Sequence, residues 1–189
     1  LYFAPELSTS LEKLETNSAA NSNLAKQKGD YFDFYFNYSL NYDQRNRKYK
    51  PTDGYRSLFY QELPLVSEKY EIVNSYDYIK YQGLKQEMVG RLAFHIKSVN
   101  ALTDDDVRIS KRLYIPQSKL RGFERGKIGP MENGDYIGGN YISTINLSTS
   151  LPQILPTFQN TDISIFFDAA NMWGVDYNSA IDNSKIRSS

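Results

Sequence analysis

Apolar and polar side chains alternate along several segments of this sequence, and the alternation is clearest at positions 31–43. The even positions there are aromatic or aliphatic, from Phe32 to Tyr42, whereas the odd positions are mostly polar. A period of two sends successive side chains to opposite faces of a β-strand. Soluble strands usually have about five or six residues, and strands that cross a membrane have about 9–11. The segment therefore predicts a strand long enough to span a bilayer.

Six further segments are predicted to be strands. They are 1–15, 55–65, 70–81, 87–100, 139–151 and 161–173. In the last of these, Ile163, Ile165 and Phe167 share one face, Asp168 lies on the other, and Phe166 breaks the pattern. About seven strands and almost no helix indicate an all-β fold.

The connections between these strands differ in length according to their position. The first, fifth and seventh connections are the long stretches 16–30, 101–138 and 174–184, and the even ones are the turn Pro51–Gly54 and the stretches 82–86 and 152–160. The short third connection, 66–69, is the exception. In an antiparallel up-and-down barrel, odd connections share one side of the membrane, and outer-membrane barrels place their long loops on one side. The pattern thus favours a transmembrane β-barrel.

Composition narrows the class of protein further. The chain has 22 lysines and arginines against 22 acidic residues, so no nucleic-acid partner is expected. It has no cysteine and only His95 as an imidazole, so neither a zinc site nor another metal site is expected. No nucleophile or phosphate-loop motif is present, and we expect no cofactor and no enzymatic activity. The mean hydropathy of −0.57 is compatible with membrane strands, because they alternate lipid-facing and lumen-facing residues.

Four stretches stand in an informative order along the chain. The first is Tyr49–Gly54, the second is Arg121-Gly122-Phe123 after Leu120 and before Gly126, Gly129 and Pro130, the third is Gly138-Gly139-Asn140, and the fourth is Phe166–Trp173. In these stretches the chain resembles the BamA family of outer-membrane β-barrel assembly factors. The family carries an Arg-Gly-Phe tip on its sixth extracellular loop. The chain departs from the family at Ser148, where some relatives have a glutamate as a second partner of the loop arginine.

The resemblance implies that Asp168 receives the side chain of Arg121. A poorly hydrated guanidinium needs a partner, and a bidentate Arg–carboxylate bond fixes direction as well as energy. Gly122 permits a tight tip, and Phe123 can wedge into a packed site. The resemblance also implies a set of residues that support the loop and the following strand, namely Gly126, Gly129, Pro130, Gly138, Gly139 and Asn140. We therefore predict that Arg121 and Asp168 hold the loop 101–138 inside the barrel. The alternative is that both are ordinary solvated charges, whose pairing contributes about 0–1 kcal/mol.

The resemblance also implies an architecture larger than this chain. Seven strands cannot close an even-numbered barrel, and residues 185–189 look like the start of a further strand. We expect residues 1–189 to be part of one C-terminal barrel domain of about 16 strands, with the periplasmic POTRA domains and the final strands outside the chain. As in the family, the expected location is the outer membrane of a Gram-negative bacterium.

The expected function is to fold and insert other β-barrel proteins. Its partners would be unfolded outer-membrane proteins as clients, accessory lipoproteins and the lipid bilayer. Two alternatives share much of the pattern: a related barrel that secretes one dedicated protein, and a passive channel. A third is a soluble lectin-like β-sandwich, whose strands should be nearer five or six residues.

Overall fold

A single antiparallel sheet dominates the fold. The computed structural model of the chain describes residues 1–15, 25–85, 88–104, 106–151, 163–181 and 185–189. The strands are β1 (Tyr2–Leu14), β2 (Gly29–Asp43), β3 (Gly54–Ser67), β4 (Glu71–Gly83), β5 (Val89–Ala101), β6 (Met131–Glu132), β7 (Asp135–Tyr136), β8 (Tyr141–Ser150), β9 (Ser164–Trp173) and β10 (Arg187–Ser188). The sheet order is β1-β2-β3-β4-β5-β8-β9-β10, while β6 and β7 form a separate hairpin. The seven predicted strands and the start of the next one are confirmed, whereas the predicted connection 152–160 and the first two residues of the segment 161–173 lie outside the described residues.

Neighbouring strands of the sheet follow one another along the chain, apart from the small hairpin, so the topology is up-and-down. Within the described residues the sheet is open, because β1 and β10 each have one neighbour. The fold is therefore a partial barrel wall. The lectin-like alternative is wrong, since the long strands form one sheet and not two.

The two faces of the sheet differ in character. The covered face, on which the segment 101–140 packs, carries buried polar side chains such as Asp33, Glu71 and Asp168. The bare face carries exposed apolar side chains, such as Leu7 and Phe94. The register keeps these sets apart, because a slip of one residue would exchange the faces.

The connection between β2 and β3 shows how local sequence fixes the register. The side chain of Asn46 accepts hydrogen bonds from the backbone N–H groups of Thr52 and Asp53 at 3.1 and 3.3 Å. Gly54 has a φ of +92°, and a Cβ there would lie 2.1 Å from the carbonyl oxygen of Gln44. Only glycine fits this position, so β3 starts at a defined residue.

The segment between β5 and β8 contains short elements that the sequence analysis did not predict. A 3₁₀ turn covers Ile109–Lys111, and β6 and β7 form a hairpin. Asn133 and Gly134 join its strands with φ values of +51° and +91°, as the tight turn of a hairpin requires. Among the described residues, no helix has the length and apolar character required to cross a bilayer.

A small apolar core lies between this segment and the covered face. Its buried members are Val73, Val99, Val107, Leu113, Ile115, Leu120, Ile128, Ile142, Ala170 and Met172. Half of them come from the segment between β5 and β8, and the other half come from strands β4, β5, β8 and β9. The segment is thus packed onto the sheet as part of the domain, which places its charged side chains beside those of the strands.

Candidate functional site

The tip of the long segment meets the covered face at Asp168. The Nε of Arg121 donates to Oδ2 of Asp168 at 2.6 Å, and its Nη2 donates to Oδ1 at 2.6 Å. The backbone N–H of Arg121 adds a bond to Oδ2 at 3.1 Å. This is a bidentate fork with a main-chain contribution, and it fixes both the position and the direction of the tip.

Strand β9 places the Asp168 carboxylate among several hydrogen-bond donors. Asn146 lies directly opposite Asp168 on β8 and donates to its Oδ1 at 2.8 Å. The same amide donates to the carbonyl oxygen of Lys119 at 2.7 Å, which ties the loop backbone to the wall. The carboxylate is fully buried, whereas the Arg121 side chain keeps 35% of its exposure. Hydrogen bonding to Asp168 raises the pKa of Arg121 above its ordinary range.

Phe166 explains the break in the alternation of β9. Its ring lies under the guanidinium of Arg121, with 3.6 Å from the Arg121 Cζ to the ring centroid. A cation over an aromatic face is attracted by the ring quadrupole, by about 0.5–1 kcal/mol at exposed sites. An aromatic residue on the polar face therefore belongs to the arginine site. Ser148, the departure from the family pattern, lies opposite Phe166 in the register of β8 and β9 and makes no hydrogen bond to Arg121 among the described residues.

The residues beside Arg121 shape the tip. Gly122 has a φ of +80°, a region that favours glycine. Leu120 is 1% exposed and belongs to the apolar core, and Phe123 packs against that core while partly buried. The tip thus has apolar anchors on both sides of the ion pair.

The predicted supporting glycines have different surroundings. A Cβ at Gly129 would lie 2.2 Å from the Cε of Met172, and one at Gly139 would lie 2.6 Å from the carbonyl oxygen of Trp173. Gly138 has a φ of +73° with the backbone of the segment close by. Each of these positions brings the segment against β9 or against itself more closely than a side chain would allow.

Gly126 and Pro130 complete the predicted set. Gly126 has a φ of +75° but open space around it, so its role is conformational. Pro130 is buried, and its carbonyl oxygen accepts a hydrogen bond from the N–H of Ile137 at 3.1 Å. The two residues lie on either side of the turn that precedes the β6–β7 hairpin.

Asn140 joins three parts of the chain just before β8. Its N–H donates to the carbonyl oxygen of Gly174 at 3.0 Å, and its own carbonyl oxygen accepts from Val99 at 2.8 Å. Its side-chain amide donates to Asp176, which in turn accepts from the N–H of Val107. Asn140 therefore connects β5 with the segment that follows β9.

A second buried site, at Arg108, was not predicted from the sequence. The Nη2 of Arg108 lies 2.8 Å from Oδ2 of Asp33 on β2 and 3.4 Å from Oε2 of Glu71 on β4. Its Nη1 lies 3.4 Å from Glu12 on β1, and its guanidinium stacks over the ring of Tyr31 at 4.5 Å. The Arg108 side chain has no exposure to solvent. One loop arginine thus contacts three strands.

Two lysines of the same segment continue this arrangement. Lys111 bonds to Glu62 on β3 at 2.9 Å, and Lys119 bonds to Asp77 on β4 at 2.6 Å. Burial alone would lower the pKa of Lys111, but the hydrogen bond and charge of Glu62 raise it above the ordinary 10.5. The segment therefore presents a series of cations to carboxylates of successive strands.

The sequence held part of the signal for this series. Alternation places Asp33 on the polar face of 31–43, where a carboxylate facing a packed segment needs a cation. It does not reveal which of the cations between 101 and 138 reaches which carboxylate, because that depends on the path of the loop.

A sequence model of the Omp85 superfamily domain matches residues 4–189. The fold is similar to that of BamA from Haemophilus ducreyi lacking POTRA domains 1–3, with a TM-score of 0.74 and 24% sequence identity. That match covers 85% of this chain and 36% of that chain, so this chain spans about a third of that structure. No curated protein matches the chain.

Proposed function

The chain belongs to the Omp85 superfamily, and on this basis we propose that it forms part of the barrel wall of a protein that folds and inserts other β-barrels into the outer membrane of a Gram-negative bacterium. Its clients would be unfolded outer-membrane proteins, and accessory lipoproteins would assist it. The observation that carries the proposal is the Arg121–Asp168 fork, which fastens a long segment to the covered face.

The two faces of the sheet support a membrane position. The bare face exposes a series of large apolar side chains, including Leu7, Phe94, Ile145 and Phe167. Such a surface is stable against lipid acyl chains, and the paired strands satisfy the backbone polar groups that lipid cannot. The covered face would then line the lumen, and residues 101–138 would be a lumen-inserting extracellular loop.

The packed segment argues against a passive channel. Arg108 and Arg121 bind this segment to opposite parts of the sheet, and apolar core residues lie between them. A channel needs an open lumen, whereas this lumen would be occupied beside these strands. The proposed activity uses the wall and its strand edges, without ATP and without a covalent intermediate.

Depletion of the full-length protein in cells tests the proposal. We expect the levels of many unrelated outer-membrane barrels, measured by quantitative proteomics, to fall together while unfolded clients accumulate in the periplasm. A change confined to one secreted protein would replace the proposal with dedicated secretion. A change confined to uptake of small solutes would replace it with a channel.

A variant series connects the activity to the loop tip. We expect full-length protein with Arg121→Ala to restore client levels poorly and to show new protease cleavage in the loop. Lys127→Ala is the matched control, because Lys127 pairs only with the exposed Glu124 at 2.9 Å among the described residues. Normal client levels and an unchanged cleavage pattern in Arg121→Ala would contradict a role for the tip.

A further inference from the structure

A basic cavity lies on the covered face, at the end of the sheet where β2 turns into β3. Its volume is about 450 Å³, and its lining includes Arg47, Lys50, Arg91, Ser148, Ser150 and Ser164. In the part of the chain that the structure describes, no carboxylate lines this cavity. It lies beside the Arg121 site, because Ser148 is opposite Phe166 in the register of β8 and β9, but Arg47 and Arg91 take no part in the ion pairs of the loop among the described residues.

The two arginines that line this cavity, Arg47 in the turn between β2 and β3 and Arg91 on β5, are not neutralised by carboxylates of the described residues. Arg45, in the same turn, is neutralised by a bidentate bond to Asp43 at 2.9 and 2.7 Å. Arg47 uses its Nε on the carbonyl oxygen of Lys50 at 2.6 Å, which leaves its charge without a carboxylate among the described residues. Arg91 is partly buried on β5, opposite Ser148, and the described residues offer it no ion pair.

The turn that carries Arg47 is held in a fixed form. The Nδ2 of Asn46 donates to the hydroxyl of Thr52 at 2.7 Å, and its Oδ1 accepts from the backbone of the same residue. Lys50 has a φ of +45°, and Gly54 closes the turn. A site with its cations already positioned loses less conformational entropy on binding than a flexible one.

We propose that the cavity that contains Arg47 and Arg91 binds carboxylates of an acidic polypeptide segment. Guanidinium groups match a carboxylate with a planar fork, and the serine hydroxyls can donate to its remaining oxygens. The volume lies within the range of about 300–1,000 Å³ that is typical of ligand pockets and is far larger than the roughly 30 Å³ of one water molecule. It therefore holds more than a single small anion.

The occupant follows from the face on which the cavity lies. The acyl chains of a phospholipid would lie in the bilayer against the bare face, whereas the serines of this cavity are on the covered face. A polypeptide has no acyl chains to place in the bilayer and can reach the covered face from the end of the sheet. The assignment of a polypeptide that arrives at this end of the sheet rests on the proposed function, because that function places the turns on the periplasmic side, where clients arrive.

Binding is measured with the full-length protein in nanodiscs of zwitterionic lipid, using a fluorescent peptide of alternating glutamate and serine and its glutamine analogue. We expect saturable binding of the glutamate peptide only, seen as fluorescence anisotropy. Arg91→Gln and Arg47→Gln should each weaken it about five- to tenfold, because each removes a charge-assisted hydrogen bond to the peptide. Arg125→Gln removes an exposed loop arginine and is the matched control, with affinity unchanged.

Four outcomes would overturn the proposal. They are equal affinity in Arg91→Gln and Arg125→Gln, equal binding of the glutamine peptide, complete displacement of the peptide by equimolar inorganic phosphate, and binding only to vesicles that contain anionic phospholipid. The heat-modifiable mobility of each variant on gels shows whether it is folded, and a folded Arg91→Lys should keep more affinity than Arg91→Gln. The proposed function is tested separately by client levels, so a failure of one measurement is distinguishable from a failure of the other.

Discussion

Removal of the Arg121 side chain should open the loop tip by a measurable amount. Asp168 has no exposure and accepts two charge-assisted bonds from this side chain. Leaving one partner of a buried ion pair alone costs about 3–5 kcal/mol. Because the Arg121 side chain is 35% exposed and its backbone N–H bond remains, we expect a smaller cost of about 2–3 kcal/mol. This corresponds to roughly a 30- to 150-fold increase in the opening equilibrium.

Hydrogen exchange measures this opening in the full-length protein. Peptides that cover residues 113–130 should exchange faster in Arg121→Ala, because opening exposes their amides. A double-mutant cycle with Asp168→Asn isolates the pair: after Asp168→Asn, removal of Arg121 should have little further effect, which gives a coupling of about 2 kcal/mol. Arg125→Ala is the control and should leave exchange unchanged. A coupling below about 0.5 kcal/mol would refute the reasoning, since independent sites add within that range.

Three further predictions concern other contacts of the segment. Arg108→Met should lower the temperature at which the folded gel band is lost, because it leaves buried carboxylates without their cation at a cost of about 3–5 kcal/mol; an unchanged temperature would show that the cluster is not stabilising. Gly129→Ala should lower the temperature at which the folded gel band is lost more than Gly126→Ala does. A Cβ at Gly129 would lie 2.2 Å from Met172, whereas a Cβ at Gly126 would meet open space. Equal effects of the two substitutions would contradict this packing. The raised pKa of Lys111 means that its bond to Glu62 is fully present below the ordinary pKa of 10.5 and is lost as the pH rises through the higher folded value. The protection of the loop amides against hydrogen exchange should therefore stay constant from about pH 7 to 10 and fall above about pH 10. A fall near about pH 8 would exclude the titration of Lys111 as its cause.

The sheet could be predicted from the sequence because its signal is local. Alternation over 31–43 reports which side chains share a face, and long alternating runs report strands that cross a bilayer. Phe166 shows the limit of that signal, because the alternation alone does not explain an aromatic residue on the polar face of β9. The reason for its placement is a contact with residue 121, which no local pattern contains.

The segment between β5 and β8 could be predicted only in part. Its motif pointed to Arg121 and Asp168 through resemblance, and the functional role of that pair stays a prediction. The Asn133-Gly134 pair is a local signal for a tight hairpin turn, and it explains the β6–β7 hairpin. Arg108 carried no signal of its own, since its contacts with Asp33 and Glu71 bridge distant parts of the chain and follow from the path of the loop.

The loop cations also have a mechanical consequence. Arg108 contacts β1, β2 and β4, while Arg121 contacts β9, so one short length of chain joins both sides of the sheet. The segment therefore restrains the distance between the two sides of this sheet. A load that spreads or flattens the wall is first carried by these ion pairs, and because their carboxylates on β2, β4 and β9 are buried, the resistance ends abruptly once a pair breaks. The curvature of this part of the wall is thus set by the length of the loop between residues 108 and 121 as well as by the twist of its strands.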